Sequence, residues 1–223
     1  MNSKSLGILG LGSRSTLFYI KELNRLYQLK NGGYSTCPFK MWNTNFDTIN
    51  NLLPEPSEKL KKIVRENLLK LQNMQIDSIL VPNITLHQII DSITLLPKII
   101  HPVSLTIQKL QEKGITKVIL FGSAYTMESK YIKESFQKEH LEIVLPSEED
   151  RLFIDYVRKE IYAETESHEL LRKYNNIIEK YSTDYAVVLA CTELSIVWNG
   201  KNSSVFDMAR IQMEAAIANF DRF

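Results

Sequence analysis

Short apolar runs alternate along the chain with segments in which apolar residues recur every three or four positions. Continuous apolar runs such as 117–122 ("KVILFG") and 186–190 ("AVVLA") are typical of strands buried on both faces of a sheet. The segment 57–74 ("SEKLKKIVRENLLKLQNM") has the spacing of an amphipathic helix and opens with a serine suited to cap it. Buried strands that alternate with amphipathic helices predict an α/β protein with parallel sheets covered on both faces.

The same periodicity predicts where the helices lie. Ser13, Ser15 and Thr16 follow the first apolar run and are expected to cap the first helix. The main helical segments are expected over about 17–29, 87–96, 147–181 with a break near "ETESH", and 208–220.

Two pairs of segments resemble one another. The turn "GSRST" at 12–16 matches "GSAYT" at 122–126, and "SILVPNITLHQII" at 78–90 matches "AVVLACTELSIVW" at 186–198. Both pairs are separated by almost the same distance, about half the chain. Strand–turn–helix junctions that simply look alike are the alternative explanation. The repeat predicts two similar Rossmann-like halves related by a pseudo-twofold axis, with an active site in the cleft between them.

We place the first half at residues 1–98 with 207–223, and the second at 99–206. All four matched segments follow predicted strands, and open α/β sheets bind ligands at the carboxyl ends of their strands. The turns offer backbone N–H groups and hydroxyls that suit a carboxylate. Helix capping is the alternative role for each hydroxyl. The candidate binding residues on this argument are Ser13, Thr16, Thr85, Ser123, Thr126 and Thr192.

Cys191 is the candidate for chemistry. It ends an apolar run and precedes "TELS", and a thiol at a helix N-terminus has a lowered pKa and serves as a base or nucleophile. A buried structural cysteine is the alternative. Asn83 holds the matching place in the first half and cannot ionise. Glu193 is expected to cap the next helix or to bind a substrate ammonium group, and Asn45, after the second strand, to line the cleft.

Composition narrows the partners and the compartment. The formal net charge of the 223 residues is +1, which argues against nucleic acid as a partner. No apolar run approaches the roughly 20 residues that span a bilayer, and the N-terminal segment lacks a signal-peptide pattern, so no membrane partner is expected. Cys37 and Cys191 are the only cysteines and have no metal-binding spacing. One disulfide is formally possible, but a reduced cytoplasmic protein without a metal is the simpler interpretation.

The motifs together resemble the aspartate/glutamate racemase family, which works without pyridoxal phosphate. The resemblance covers essentially the whole chain, and "VVLACTELSIV" is its most specific segment. The other matching segments are "GILGLGSRSTLFYIKEL", "VPNITLH", "LFGSAYTMESKYI", "VLPSEEDRLFIDYVRKEIY" and "VFDMARIQMEAA". The resemblance implies two Rossmann-like halves, a homodimer, a small acidic amino acid or related carboxylate as substrate, and no cofactor. It also implies two cysteines that exchange the Cα proton on opposite faces.

The chain departs from that pattern at the first cysteine, where Asn83 stands. Symmetric two-thiol racemisation is therefore not available to it. His87 survives from the matching motif, with its local hydrogen bonding as an alternative role, and Arg14 is a candidate for a cation that the family carries elsewhere. We expect an atypical amino-acid racemase in which Cys191 acts on one face and His87, Thr85 or a water on the other.

Three other functions stay open at this point. A one-cysteine lyase of the arylmalonate decarboxylase type would need only the later thiol. A non-catalytic binder of an acidic amino acid would keep the cleft without the chemistry. A dinucleotide-binding protein is suggested by "GILGLGSRS", but Ser15 replaces the third glycine of that fingerprint.

Overall fold

The computed structural model describes residues 5–198 and 200–220. The chain divides into two compact units. The first consists of Met1–His101 with Gln212–Phe223, and the second of Pro102–Ile211. No helix among the described residues is long and apolar enough to cross a membrane.

The first unit is built on a four-stranded parallel sheet with the order β2-β1-β3-β4. Its central strand β1 is buried along its whole length, as the continuous apolar pattern predicts. The elements are β1 (Leu6–Gly10), α1 (Ser13–Asn31), β2 (Phe39–Asn43), α2 (Asp47–Asn50), α3 (Glu58–Gln72), β3 (Ser78–Leu80), α4 (His87–Ile90) and β4 (Lys98–Ile99).

Helix α3 supplies much of the core of this unit. Leu60, Val64, Leu68 and Leu71 recur at helical spacing, and all four are fully buried in one cluster with side chains of β1 and β3. Burying each such side chain stabilises the fold by about 1.5–3 kcal/mol relative to exposing it. The Ser57 hydroxyl caps this helix by accepting a hydrogen bond from the Leu60 N–H at 3.2 Å, so the predicted capped helix is confirmed.

The second unit repeats this architecture with the strand order β6-β5-β7-β8, again parallel throughout. Its elements are α5 (Pro102–Glu112), β5 (Lys117–Phe121), α6 (Ala124–Glu128), α7 (Lys130–Lys138), β6 (Glu142–Val144), α8 (Glu148–Ala163), α9 (His168–Ser182), β7 (Ala186–Leu189), α10 (Thr192–Val197) and β8 (Val205–Asp207). The closing helix α11 (Met208–Ala218) starts in the second unit and ends in the first.

The matching strand orders confirm the two similar parallel-sheet halves that the sequence repeat predicts. Strands β1 and β5 each hold the second place in their sheet, and the two G-S-x-x-T turns follow them. Strands β3 and β7 each hold the third place, and Asn83 and Cys191 follow them. Asn83 and Cys191 are therefore topologically equivalent.

Two local predictions are wrong. The helix expected over 87–96 ends at Ile90, because the chain turns through "DSITLLP" before β4. Helix α1 starts at Ser13, earlier than expected, and its first residue follows Gly12 without a side-chain capping hydrogen bond. The predicted long helical region is confirmed as α8 and α9 with a break between them.

Candidate active site

Cys191 lies just beyond the carboxyl end of β7 and immediately before α10. Its thiol donates a hydrogen bond to Glu193 Oε2 at 3.0 Å. The Thr192 hydroxyl donates to the same carboxylate oxygen at 3.2 Å. The structure thus brings three sequence-predicted residues into one cluster, in which a single carboxylate faces the thiol.

The surroundings of Cys191 keep its thiol protonated at neutral pH. Burial raises the pKa of the thiol well above its usual value, and the negative charge and hydrogen bond of Glu193 raise it further. The backbone N–H of Leu194 and the positive charge of Arg158 oppose this increase in pKa without reversing it. The sequence-based expectation of a lowered thiol pKa is therefore wrong, because burial and a neighbouring carboxylate outweigh the N-terminal turn of a six-residue helix.

A buried polar network supports the backbone of Cys191. The backbone N–H of Ser195 donates to the Cys191 carbonyl at 3.2 Å, and the Ser195 hydroxyl donates to Asp207 Oδ1 at 2.7 Å. The same oxygen of Asp207 accepts the backbone N–H groups of Ala209 and Arg210 at 3.0 and 3.1 Å. Asp207 thereby connects the end of β8 to the turn that follows β7.

The network contains two opposite charges, those of Asp207 and Arg210, which lie 3.2 Å apart. Burial raises the pKa of Asp207, although the Arg210 guanidinium and the Ser195 hydroxyl favour its ionised form. Arg210 also donates to the carbonyls of Ser195 and Trp198 at 3.3 and 3.0 Å. Sequence reasoning missed Ser195, Asp207 and Arg210 as supports of Cys191. The available signal for one of them was an aspartate at the end of a short strand, Asp207.

Asn83 follows β3 in the first unit and acts as a local cap. Its Oδ1 accepts a hydrogen bond from the Leu86 N–H at 3.0 Å, and the residue is half-buried. With Oδ1 engaged, the NH₂ group is the part of this amide that can still donate a hydrogen bond. Thr85 lies in the same turn and is also half-buried.

His87 is fully buried at the start of α4. Burial lowers the pKa of its imidazole to about 3, and the neighbouring His101 contributes, while Asp91 and the Val81 carbonyl oppose the lowering. Its ring meets that of His101 edge to face, with 4.7 Å between centroids. Neither ring nitrogen has a hydrogen-bond partner of good geometry within the described part of the chain. His87 is thus a neutral imidazole enclosed by the protein.

The hydroxyls of the two G-S-x-x-T turns serve local structure. Thr16 Oγ1 accepts the Leu11 N–H at 3.0 Å. Ser123 Oγ accepts the Thr126 N–H at 3.1 Å and lies 2.8 Å from the Thr126 hydroxyl. A Cβ at Gly122 would lie 3.0 Å from the side chain of Thr126, so this turn leaves little room for a larger residue.

The remaining predicted residues lie at the same strand ends of the first unit. Ser13 is exposed and Arg14 half-buried in the first turn of α1. Asn45 follows β2 and is exposed, and its side chain accepts the backbone N–H of Asp47 at 3.2 Å. Asn45 and the β1 turn are neighbours, because Thr44 N–H donates to the Gly10 carbonyl at 3.0 Å. Residues 5–198 and 200–220 contain no group of three or more His, Cys, Asp and Glu side chains that could hold a metal ion.

Comparison with solved structures shows the fold. An aspartate racemase homologue from Pyrococcus horikoshii OT3 superposes with a TM-score of 0.82 at 24% identity, covering 96% of this chain and 98% of that one. The aspartate racemase of Picrophilus torridus gives 0.77 at 17% identity, covering 96% and 94%. The maleate isomerase Iso from Pseudomonas putida S16 gives 0.60 at 12% identity, covering 96% and 92%. The architecture is that of two-domain racemases and related isomerases.

Comparison of the sequence with family models gives the relationship itself. The model described as Asp/Glu/Hydantoin racemase matches residues 8–216, which is nearly the whole chain. The match includes the strand ends that carry Asn83 and Cys191. The chain therefore belongs to the Asp/Glu/Hydantoin racemase family of isomerases.

Proposed function

We propose that this protein is a cofactor-independent amino-acid racemase of the aspartate/glutamate type with one catalytic thiol, that of Cys191. The observation that supports this most directly is the hydrogen bond of 3.0 Å from the thiol to Glu193 Oε2 at the end of β7. A carboxylate in contact with a protonated thiol offers the acceptor that the thiol needs to become a base. Membership in a racemase family supplies the reaction class.

The proposed step on the Cys191 face is a proton transfer. Glu193 accepts the thiol proton, and the resulting thiolate removes the Cα proton of the amino acid. The electron pair of the broken C–H bond passes into the substrate carboxylate, which becomes an enediolate. Returning a proton to the opposite face of Cα gives the other enantiomer, and returning it to the same face regenerates the substrate.

Asn83 has a binding role in this proposal. An amide neither takes nor gives a proton at neutral pH, and the Asn83 oxygen already caps the turn into α4. Its NH₂ group is suited to donate a hydrogen bond to the substrate carboxylate or to the enediolate oxygen. Thr85 and the turn residues Ser13, Arg14, Thr16, Asn45, Ser123 and Thr126 remain proposed contributors to carboxylate binding.

The proton donor for the second face is proposed to be a water held near Asn83 and Thr85. Thr85 itself is another candidate from the sequence, and so is His87. Its enclosure and its pKa of about 3 argue for a structural role, because a buried neutral ring would have to be uncovered before it could meet a substrate. Transfer through water on one side and a thiol on the other makes the two directions kinetically unequal while the equilibrium between enantiomers stays the same.

The test is Cα–H exchange in deuterated water. The L and D forms of aspartate and glutamate are incubated separately with the protein, and loss of the Cα proton signal and chirality are both measured. We expect exchange with inversion for at least one of these acids. Cys191→Ser should reduce the rate by at least about a hundredfold, the low end of what a general acid or base contributes. Cys37→Ser is the matched control, since that thiol is buried elsewhere, in the first unit, and should leave the rate unchanged.

The variant Asn83→Cys gives a second test in the same exchange assay. If Asn83 meets the same substrate as Cys191, restoring an ionisable group there should speed inversion. Exchange with full retention in the wild type would contradict the racemase, because it shows a working base on one face only. Stabilisation by an acidic amino acid without any exchange would instead identify a binder.

A one-cysteine lyase is the second candidate. The observation that favours it is the raised pKa of Cys191, which leaves a protonated thiol, while the equivalent position in the first unit carries an amide that cannot ionise. That pair suits decarboxylation of a substituted malonate followed by protonation of the enediolate by the thiol. Release of carbon dioxide from an arylmalonate, without exchange of amino-acid Cα protons, would select this function.

A further inference from the structure

Arg158 is a basic residue of the second unit that the sequence motifs do not single out. It lies on α8, and α8 packs against α10, the helix that begins directly after Cys191. Its side chain is only 24% exposed, so its guanidinium is held at the protein rather than in solvent. Among the charged groups of the second unit, Arg158 favours the ionised form of the Cys191 thiol, and Glu193 disfavours it.

Asp155 fixes the position of this guanidinium. Arg158 Nε donates to Asp155 Oδ1 at 2.9 Å, and the same oxygen accepts the Ala124 N–H at 3.1 Å. Ala124 opens α6 directly after the β5 turn, and β5 is the neighbour of β7 in the sheet. The contact therefore ties Arg158 to the edge of the sheet where Cys191 lies. This contact is made by Nε, and the terminal nitrogens of the guanidinium are chemically able to donate to other acceptors.

Lys159, the next residue along α8, is a second cation with which Arg158 can be compared. Its Nζ lies 2.8 Å from Asp155 Oδ2, so Asp155 contacts two cations, and one positive charge of the group is left in excess. Lys159 is 63% exposed and screened by water, whereas Arg158 is more enclosed. Two adjacent residues of α8 thus bind the same carboxylate, and the more enclosed of them, Arg158, carries a charge that favours the thiolate of Cys191.

We propose that Arg158, oriented by Asp155, is a positioning residue that stabilises the thiolate form of Cys191 during proton transfer. This inference rests on the proposed function, in which the thiol must give up its proton before it can remove one from Cα. Burial and Glu193 both hold the thiol protonated, and the backbone N–H of Leu194 and the positive charge of Arg158 oppose them. Another titratable group close to Cys191 is Tyr174 of α9, whose phenol is kept neutral because burial raises its pKa well above the usual value.

The test measures the thiol itself, without substrate. The full-length protein is alkylated with iodoacetamide across a range of pH, and modification of the Cys191 peptide is followed by mass spectrometry, separately from that of Cys37. Arg158→Gln and Arg158→Met both remove the charge and keep most of the aliphatic stem. Two variants are used so that the result does not depend on the folding of one of them. Far-UV circular dichroism confirms that each variant is folded.

We expect both Arg158 variants to move the alkylation profile of Cys191 to higher pH and to slow the reaction about three- to tenfold at a fixed pH, since one pKa unit is a factor of ten. Lys159→Gln, with the same change in net charge one residue along, should leave the profile in place. Arg158→Lys should recover part of the rate. Equal shifts for the Arg158 and Lys159 variants, or no shift for either, would overturn the proposal.

The alkylation experiment and the Cα–H exchange experiment can succeed or fail independently of each other. A shifted profile in a protein that exchanges no Cα proton would leave the positioning of the thiol standing and refute the racemase. Exchange with inversion combined with an unmoved profile would do the reverse. If both hold, Arg158→Gln should also reduce the exchange rate, and Lys159→Gln should not.

Discussion

At the scale of single residues, the functional consequence of Cys191 depends on its neighbours more than on its motif. The thiol of a cysteine at a helix start is ordinarily favoured as thiolate, yet here burial and Glu193 raise its pKa. The same contact makes Glu193 the first proton acceptor in the proposed reaction. The Glu193 carboxylate therefore favours the protonated thiol at rest and, in the proposed reaction, accepts its proton.

This arrangement predicts the effect of Glu193→Gln on the reactivity of the thiol. Removing the negative charge and the carboxylate acceptor should lower the pKa of Cys191 and shift its alkylation profile to lower pH, opposite to the effect of the Arg158 variants. Alkylation at a fixed neutral pH should become several-fold faster, because each pKa unit is a factor of ten. Glu169→Gln is the control, as Glu169 pairs with Lys173 on the surface of α9. Slower alkylation of the Glu193 variant would contradict the assignment.

At the scale of elements, the two units have the same sheet topology, but their helices do not all begin in the same way. Four helices begin after a serine whose hydroxyl accepts a capping hydrogen bond from the backbone N–H three residues later: Ser57, Ser123, Ser147 and Ser167. Helix α1 instead follows Gly12 and has no side-chain capping bond. The Thr16 hydroxyl instead accepts the N–H of Leu11, ahead of the helix. The first-unit turn is thus closed from inside the helix, and the Ser13 hydroxyl is left at the surface.

The contrast predicts unequal costs for two serine substitutions. Ser57→Ala should destabilise the protein by about 1 kcal/mol, the usual cost of losing an N-cap hydrogen bond. Ser13→Ala, also at a helix start but without a capping bond, should change stability by less than about 0.5 kcal/mol. Urea unfolding of the two variants and the wild type measures both values. Equal losses would show that the Ser57 hydroxyl does not stabilise α3.

At the scale of the whole molecule, buried ionisable groups link stability to pH. His87 is fully enclosed and has a folded-state pKa of about 3, against an ordinary value of 6.5. Below pH 6.5 the unfolded chain binds a proton at this residue that the folded chain does not bind until about pH 3. The stabilisation is thus complete above pH 6.5 and is lost as the pH falls from 6.5 towards 3.

The prediction is that His87→Leu flattens the acid side of the stability profile. Between pH 6.5 and pH 3 the variant should gain on the wild type by on the order of 4 kcal/mol, because each pKa unit corresponds to about 1.4 kcal/mol. Urea unfolding followed by tryptophan fluorescence at several pH values measures this, since Trp42 and Trp198 report on one unit each. His168→Gln, at an exposed position on α9, should leave the slope unchanged. A His87 variant that parallels the wild type at every pH would contradict the account.

The sequence by itself determined the alternation of strands and helices, the repeat and the places of Cys191 and Asn83 after topologically equivalent strands. Periodicity and turn chemistry carry that information because they act between residues close in the chain. Tertiary structure alone decided the protonation of Cys191, the enclosure of His87 and the approach of Arg158 to the thiol. Those properties depend on burial and on charges delivered by helices far apart in sequence, and no local pattern records which of them will meet.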